Sequence, residues 1–224
     1  SKVYGSADPN LSYVITAGNL ISGDNFTGGL NRTAGENVGK YSINQGTLAL
    51  SPNYTLTYVQ DSLTITQKPL TVKADSKTKT FGDADPTLTY QITSGSLESG
   101  DSFTGSLTRT SGENIGNYSI NQGSLTAGGN YAITYINDSL TINVKTIVVK
   151  ADDKTKVYGA SDPSLTYHIV SGTLESGDVF SGSLTRLNGE NVGKYSIGQG
   201  SLSLPANYNL VYQKDSLTIT PKNI

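Results

Sequence analysis

The chain has 224 residues, of which 15% are charged, and its formal net charge is −2. This balance excludes the highly charged disordered class and gives no basic surface for nucleic acid. Cysteine is absent, which excludes disulfides, thiolate metal sites and thiol nucleophiles. No apolar run approaches the roughly 20 residues that span a bilayer, so we expect no membrane insertion in this segment.

The chain contains three copies of one pattern, each offset from the one before by 77 residues. Tyr4-Gly5 recurs as Phe81-Gly82 and Tyr158-Gly159. Other motifs recur at the same offset without insertions: Asp-Pro at 8, 85 and 162, Gly-Asp at 23, 100 and 177, Gly-Glu-Asn at 35, 112 and 189, and Asn-Tyr at 53, 130 and 207. A period of 77 exceeds the roughly 20–50 residues of solenoid repeats and suits a small domain that folds alone.

The spacing of the copies predicts three tandem domains. Their bounds are 1–66, which lacks the first strand of the pattern, 67–143 and 144–222, with 223–224 beginning a further copy. The junctions are a few residues long and contain no Gly/Ser tract, so we expect neighbouring repeats to be held nearly end to end, as a rod.

Each copy is predicted to be an all-β domain of about seven short strands. In the middle copy, apolar residues alternate with polar ones, which is typical of half-buried strands. They are, in chain order, Leu70, Val72 and Ala74; Leu88, Tyr90 and Ile92; Phe103 and Leu107; Tyr118 and Ile120; Tyr131, Ile133 and Tyr135; Leu140 and Ile142. A small antiparallel Ig-like sandwich fits best. A β-grasp-like fold or a single-layer extended sheet stays open, because a hydrophobic content of 35% is modest for a sandwich core.

The Gly-Glu-Asn turn precedes a tyrosine at the start of a strand. Tyr118 follows Gly112 and Gly116 in this way, which resembles the tyrosine corner of Ig-like sandwiches; a tyrosine packed on any sheet is the alternative. Arg109 and Glu113 recur together in every copy, which predicts a salt bridge across the turn.

The recurring motifs resemble a known family. The opening Tyr-Gly-x-x-Asp-Pro, the centre Gly-Glu-Asn-x-Gly-x-Tyr and the close Asn-Tyr…Leu-Thr-Ile are similar to MBG repeats of the YGX type, and the similarity covers nearly the whole chain. It implies tandem arrays in large secreted adhesins at the bacterial cell surface, and it supplies no catalytic residues. Phe81 replaces the tyrosine of the other copies, which indicates that the ring matters more than the hydroxyl.

No catalytic site is predicted. His168 is the only histidine and aligns with Val14 and Gln91, so no histidine-based triad or metal cluster recurs. No cofactor is expected, with calcium as the one candidate, because carboxylates supply the oxygen ligands that it takes. The candidate ligands are the recurring aspartates Asp8, Asp24, Asp85, Asp101, Asp162 and Asp178. The alternative is that these aspartates only cap turns through their own backbone.

The favoured function is therefore that of a stalk or spacer, in which the repeats of a monomeric chain contact one another and project a distal binding region from the cell. The alternative is that the repeats themselves bind host or environmental glycans or proteins with avidity. Exposed tyrosines would serve glycans, although Tyr118, Tyr131 and Tyr135 fall on core positions. A Lys–Asn cross-link between Lys150 and Asn191, helped by Glu190, is a further candidate.

Overall fold

The computed structural model describes all residues, 1–224, and consists of β-strands without any α-helix. Accordingly, nothing in it meets the length and hydropathy that a membrane-crossing helix requires. The 18 strands form five sheets, three with four strands and two with three. This confirms the prediction of an all-β chain built from repeats.

The strands recur in each copy. Repeat 1 contains β1 (Lys2–Val3), β2 (Asn31–Arg32), β3 (Gly39–Asn44) and β4 (Asp61–Thr66). Repeat 2 contains β5 (Lys68–Ala74), β6 (Lys77–Thr80), β7 (Tyr90–Ser94), β8 (Thr108–Arg109), β9 (Gly116–Asn121), β10 (Tyr131–Ile136) and β11 (Asp138–Asn143). Repeat 3 contains β12 (Lys145–Ala151), β13 (Lys154–Val157), β14 (Tyr167–Ser171), β15 (Thr185–Arg186), β16 (Gly193–Gly198), β17 (Tyr208–Gln213) and β18 (Asp215–Thr220).

Repeat 3 shows the complete topology. One sheet has the order β14-β12-β17 and the other β13-β18-β16-β15. The first strands pair in parallel with the last ones: β12 with β17 from Lys145↔Tyr208 to Lys150↔Gln213, and β13 with β18 from Lys154↔Leu217 to Val157↔Thr220. The sheets are therefore mixed, which corrects the expectation of purely antiparallel domains. Alternation of apolar residues is the same in both strand directions, so it carries no signal for this difference. The Ig-like form of the sandwich stays a prediction.

The core of repeat 3 follows from the alternation. Ile147, Val149 and Ala151 of β12 are at most 1% exposed. Leu217 and Ile219 of β18 are buried to the same extent. Burying each valine, leucine or isoleucine side chain of this set stabilises the fold by about 1.5–3 kcal/mol. The β12 residues pack in one cluster with Leu184, Ile197, Leu202 and Tyr208.

Contacts divide the chain into two compact units. One comprises Ser1–Asp75, Thr89–Thr108 and Asn121–Asp138, and the other Ser76–Leu88, Arg109–Ile120 and Ser139–Ile224. The first unit thus joins repeat 1 to the three-stranded sheet β10-β5-β7 of repeat 2, around a core of Leu70, Ala127 and Tyr131. The second unit holds the other sheet of repeat 2 together with the whole of repeat 3. In each unit, the boundary between two repeats lies inside a compact body.

Repeat 1 lacks the three-stranded sheet. Residues 13–17 and 54–59 align with β7 and β10 but form no strand. In repeat 2, β7 and β10 pair with the central strand β5. Repeat 1 has no strand equivalent to β5, so segments 13–17 and 54–59 have no central strand to pair with. Tyr13 is 45% exposed, whereas the aligned Tyr90 of β7 is half-buried.

The strand predictions are confirmed with two differences. β6 was not predicted, because Lys77-Thr78-Lys79-Thr80 contains no apolar residue. Phe103 and Leu107 do not form a strand; β8 follows them, and Thr104 makes only an isolated bridge to Thr126.

Candidate functional site at the charged turn and the repeat junctions

A network of four charged side chains recurs in all three repeats. In repeat 3, Lys156 Nζ lies 2.6 Å from Asp162 and 2.5 Å from Glu190. Arg186 contacts the same two carboxylates, with Nε 2.5 Å from Asp162, and its Nη1 donates to the carbonyl of Gly189 at 2.8 Å. The equivalent networks are Lys2, Asp8, Arg32 and Glu36 in repeat 1, and Lys79, Asp85, Arg109 and Glu113 in repeat 2. The predicted Arg–Glu salt bridge is confirmed, but as one edge of a larger network.

The lysine of this network explains why strand β6 has a buried position although it contains no apolar residue. Only 4% of the Lys79 side chain is exposed, and a buried ammonium is tolerated when it is paired. Hydrogen bonds to Asp85 and Glu113 raise the pKa of Lys79. Hydrogen bonds from Arg109 and then Lys79 lower the pKa of Asp85 to about 2. The network therefore remains fully charged near neutral pH, and it fastens the start of the repeat to the Gly-Glu-Asn turn.

The tyrosine after this turn closes back onto it. Tyr118 donates its hydroxyl to the carbonyl of Asn114, four residues upstream, at 2.8 Å, and the guanidinium of Arg109 lies 5.4 Å from its ring centroid. The same hydroxyl bond occurs at Tyr41 and Tyr195. This is the hydrogen bond of a tyrosine corner, so that resemblance is confirmed over the alternative of simple sheet packing.

A glycine makes room for this tyrosine. Gly112 has φ +145°, and a Cβ placed on it would lie 2.2 Å from Cε1 of the Tyr118 ring. Any side chain at this position would have to displace the ring, which accounts for glycine here in all three repeats.

The candidate calcium ligands fall into two separate sets. Asp8, Asp85 and Asp162 belong to the charged network, each held by an arginine and a lysine. Asp24, Asp101 and Asp178 each accept a hydrogen bond from the tyrosine of the Asn-Tyr motif, at 2.5, 2.5 and 2.6 Å. No group of three or more His, Cys, Asp or Glu side chains converges as a metal site would require. In the structure these aspartates contact lysine and arginine side chains or tyrosine hydroxyls. Calcium binding stays a prediction.

Two aspartates of the second set, Asp101 and Asp178, lie at the junctions between repeats, whereas Asp24 contacts only Tyr54 of its own repeat. In the junction of repeats 1 and 2, the Tyr4 ring packs edge-on against Tyr131, with centroids 5.4 Å apart. Tyr4 and Tyr131 both donate to Asp101, at 2.9 and 2.5 Å. Burial and the Asp101 carboxylate raise the pKa of Tyr131 to about 12, so its phenol stays protonated and keeps donating. Tyr131 is 5% exposed, which makes this contact a small core between two repeats.

An amide clasp forms the other half of this junction. The Asn130 side chain donates to Oδ1 of Asn37 at 2.9 Å and accepts from the backbone N–H of Val38 at 2.9 Å. The linker adds Gln67, whose Nε2 donates to the carbonyls of Gly129 and Tyr131.

The junction of repeats 2 and 3 repeats this geometry. Phe81 packs edge-on against Tyr208 at 5.4 Å, and Asn207 bonds Asn114 and the N–H of Ile115, both at 3.0 Å. Only the hydrogen bond that Tyr4 donates to an aspartate in the first junction is missing, because Phe81 has no hydroxyl. The ring contact is thus kept where the hydroxyl is lost, in agreement with the expectation drawn from that substitution.

A glutamate lies at each junction and pairs with a lysine of its own repeat. Lys68 pairs with Glu98, and Lys145 with Glu175. A Cβ on Gly5 would lie 2.2 Å from the Glu98 carboxylate, so the glycine of the opening Tyr-Gly motif lets the next repeat approach. The role of Asn-Tyr and Tyr-Gly was missed in the sequence. Their recurrence near the ends of each copy was the one signal for a role at the junctions. A single sequence does not say which copy a residue contacts.

Two further candidates are placed elsewhere. Lys150 Nζ lies 3.3 Å from Asp215, while Glu190 belongs to the charged network, so the suggested Lys150–Asn191 cross-link geometry is not formed. The two exposed tyrosines, Tyr13 at 45% and Tyr158 at 48%, occupy different positions of the repeat and form no recurring aromatic patch.

Comparison with known proteins gives one match. The family described as "MBG domain (YGX type)" matches residues 1–64, 70–141 and 147–218. No curated protein and no solved structure matches the chain.

Proposed function

The chain belongs to the family of YGX-type MBG domains, and from that premise we propose that it is a non-catalytic stalk segment of a large bacterial cell-surface adhesin. Repeats of this family are typical of surface proteins, and the match covers all three copies. In this role the repeats hold a distal binding region away from the cell. The proposed location is extracellular, and the proposed partners of each repeat are its neighbours in the chain.

The observation that carries the proposal is the parallel pairing of the first and last strands in repeat 3. Tension enters at the start of β12 and leaves at the end of β18. β12 pairs in parallel with β17 over six positions, and the next strand, β13, pairs in parallel with β18 over four. The start of β12 and the end of β18 therefore lie at opposite ends of these two successive ladders. The load therefore shears many backbone hydrogen bonds together instead of peeling them one by one.

The junctions support the same role. Each combines an aromatic contact and an amide clasp between the two repeats, which restricts the swing of one repeat against the next. A stalk requires such restriction, since flexible linkers would let the repeats fold back on one another. The lack of cysteine and methionine suits an oxidising exterior.

Small-angle scattering of the chain, with calcium and then with chelator, tests the proposal. We expect a stiff, elongated particle in both conditions. Asn130→Ala, which removes the clasp between repeats 1 and 2, should broaden the distance distribution. Asn53→Ala, the aligned residue outside any internal junction, is the matched control and should leave it unchanged. A compact particle would refute the stalk, and extension that is lost with chelator would show that the aspartates hold calcium.

A further inference from the structure

The position before the glycine of the Gly-Glu-Asn turn is occupied differently in each repeat. It holds Ala34 in repeat 1, Ser111 in repeat 2 and Asn188 in repeat 3, and no other asparagine of the chain is followed by glycine. We propose that Asn188 is a site of spontaneous modification, at which attack by the backbone nitrogen of Gly189 converts the side-chain amide to aspartate or isoaspartate. The proposal does not rest on the stalk function.

The tyrosine corner requires the glycine that makes this asparagine reactive. Gly189 has φ +148°, and a Cβ on it would lie 2.0 Å from Cε1 of the Tyr195 ring. A bulkier residue after Asn188 would hinder the attack, but the ring leaves no room for one. Because glycine has no side chain, its nitrogen is the least hindered backbone nucleophile that a chain contains. Any asparagine at this position of the repeat is therefore followed by an unhindered nitrogen.

The turn also leaves the reacting groups accessible. Asn188 is exposed to water. Ala34 and Ser111 are exposed too, although a further repeat follows each of them, so this exposure is a property of the turn in every copy. The Gly189 N–H donates no backbone hydrogen bond, which leaves its nitrogen free to lose the proton and attack. Asparagine is among the residues that are chemically labile on heating.

The reaction needs water and no other reactant. The Gly189 nitrogen gives its proton to water and bonds to Cγ of Asn188, while the bond from Cγ to Nδ2 breaks and the nitrogen leaves as ammonia. The product is a cyclic imide. Water then opens the ring at one of its two carbonyls. Opening at one carbonyl gives aspartate, and opening at the other gives isoaspartate, in which the main chain runs through Cβ and Cγ.

Isoaspartate is incompatible with the way in which Arg186 holds this turn. Its Nη1 donates to the carbonyl of Leu187 at 2.9 Å and to that of Gly189 at 2.8 Å. Asn188 thus lies between two carbonyls that are bound to the same nitrogen. The isoaspartyl link lengthens the main chain between them by one carbon–carbon bond, about 1.5 Å, so one of the two hydrogen bonds is lost.

The tyrosine corner of repeat 3 is then weakened as well. The Tyr195 ring packs against Gly189, donates its hydroxyl to the carbonyl of Asn191 at 2.8 Å, and lies 5.6 Å from the guanidinium of Arg186. A shift of Gly189 disturbs all three contacts. Aspartate keeps the original main chain and only adds a charge, so we expect isoaspartate to be the product that destabilises the repeat.

Peptide mapping of the full chain, after warm incubation at mildly alkaline pH, tests the modification. We expect aspartate and isoaspartate at Asn188 before any other asparagine reacts. Asn188→Ser, which copies repeat 2, should abolish the reaction, and Ser111→Asn should introduce it before Gly112. A native chain in which Asn188 stays intact while the urea-unfolded chain reacts would overturn the proposal. A Ser111→Asn variant that does not react at the new site would overturn it as well.

Hydrogen exchange tests the consequence for the fold. In the isoaspartate form, isolated by chromatography, strand β16 should exchange about tenfold faster than in fresh protein, the effect of losing a hydrogen bond and the ring contact. Strand β9 of repeat 2 is the internal reference and should not change. Asn188→Asp carries the added charge on an unaltered main chain and should exchange like fresh protein. An isoaspartate form as slow as fresh protein, or an Asn188→Asp variant as fast as the isoaspartate form, would overturn the role of the lengthened main chain.

Discussion

Replacement of Gly112 by alanine tests the tyrosine corner. The backbone there has φ +145°, a region that costs a residue with a Cβ about 1–3 kcal/mol. The new Cβ would also lie 2.2 Å from the Tyr118 ring, so the ring must move. It then loses its hydroxyl bond to Asn114, a contribution of about 1 kcal/mol, and its contact with Arg109, of about 0.5–1 kcal/mol.

Gly116→Ala is the matched control. Gly116 has the same φ of +145°, but a Cβ on it would meet nothing within 4 Å. Both variants should share the backbone strain, and Gly112→Ala should lower the free energy of opening by about 1.5–2 kcal/mol more, the sum of the two lost contacts. Hydrogen exchange read by mass spectrometry on strand β9 would show this as a more than tenfold faster exchange than in the control. Equal rates in the two variants would refute a stabilising role for the tyrosine corner.

Three more outcomes are expected. Phe81→Tyr should add a hydroxyl bond to Asp178 and slow hydrogen exchange at its junction severalfold, while Tyr4→Phe should speed exchange at the other; no change in either would contradict the junction account. Asp85 is held at a pKa of about 2 in the folded chain against about 3.9 unfolded, so its stabilisation is complete above pH ~4 and is lost toward pH 2; a carboxyl NMR titration with a midpoint near 4 would contradict this. Ile197→Ala, at a fully buried site, should lower the urea stability of repeat 3 by about 2–5 kcal/mol, and Val179→Ala, 70% exposed, by less than about 0.5; similar losses would place the core elsewhere.

The strands with apolar alternation were predictable, because burial on one face leaves a period of two in the sequence. Val72 and Val149 are fully buried as that pattern requires. β6 was not predictable in this way, because its buried residue is Lys79, whose aliphatic stem is covered while its ammonium meets two carboxylates. Partners that lie six and 34 positions away leave no periodic trace.

The site was predictable in its residues and not in its contacts. Recurrence singled out Asp85, Asp101 and the Asn-Tyr motif, but it offered turn capping or calcium for the aspartates and no role for the motif. In the structure, Asp85 belongs to the charged network of its own repeat, and Asp101 accepts a hydrogen bond from Tyr4 of the preceding repeat. Copies with the same residues give no sign of which copy a given side chain meets. The parallel direction of β12 and β17 was hidden for a similar reason, since a strand pattern carries no direction.

Single-molecule pulling on repeat 3 in two directions tests the load-bearing claim most directly. The chain has no cysteine, so two exposed residues at a time serve as unique attachment points after replacement by cysteine. Thr146 and Lys222, at opposite ends of the ladder, load it in shear; Thr146 and Asn209, paired at one end, peel it open. We predict an unfolding force several times higher for the first pair than for the second. Equal forces in the two directions would contradict a stalk whose parallel terminal strands bear the load.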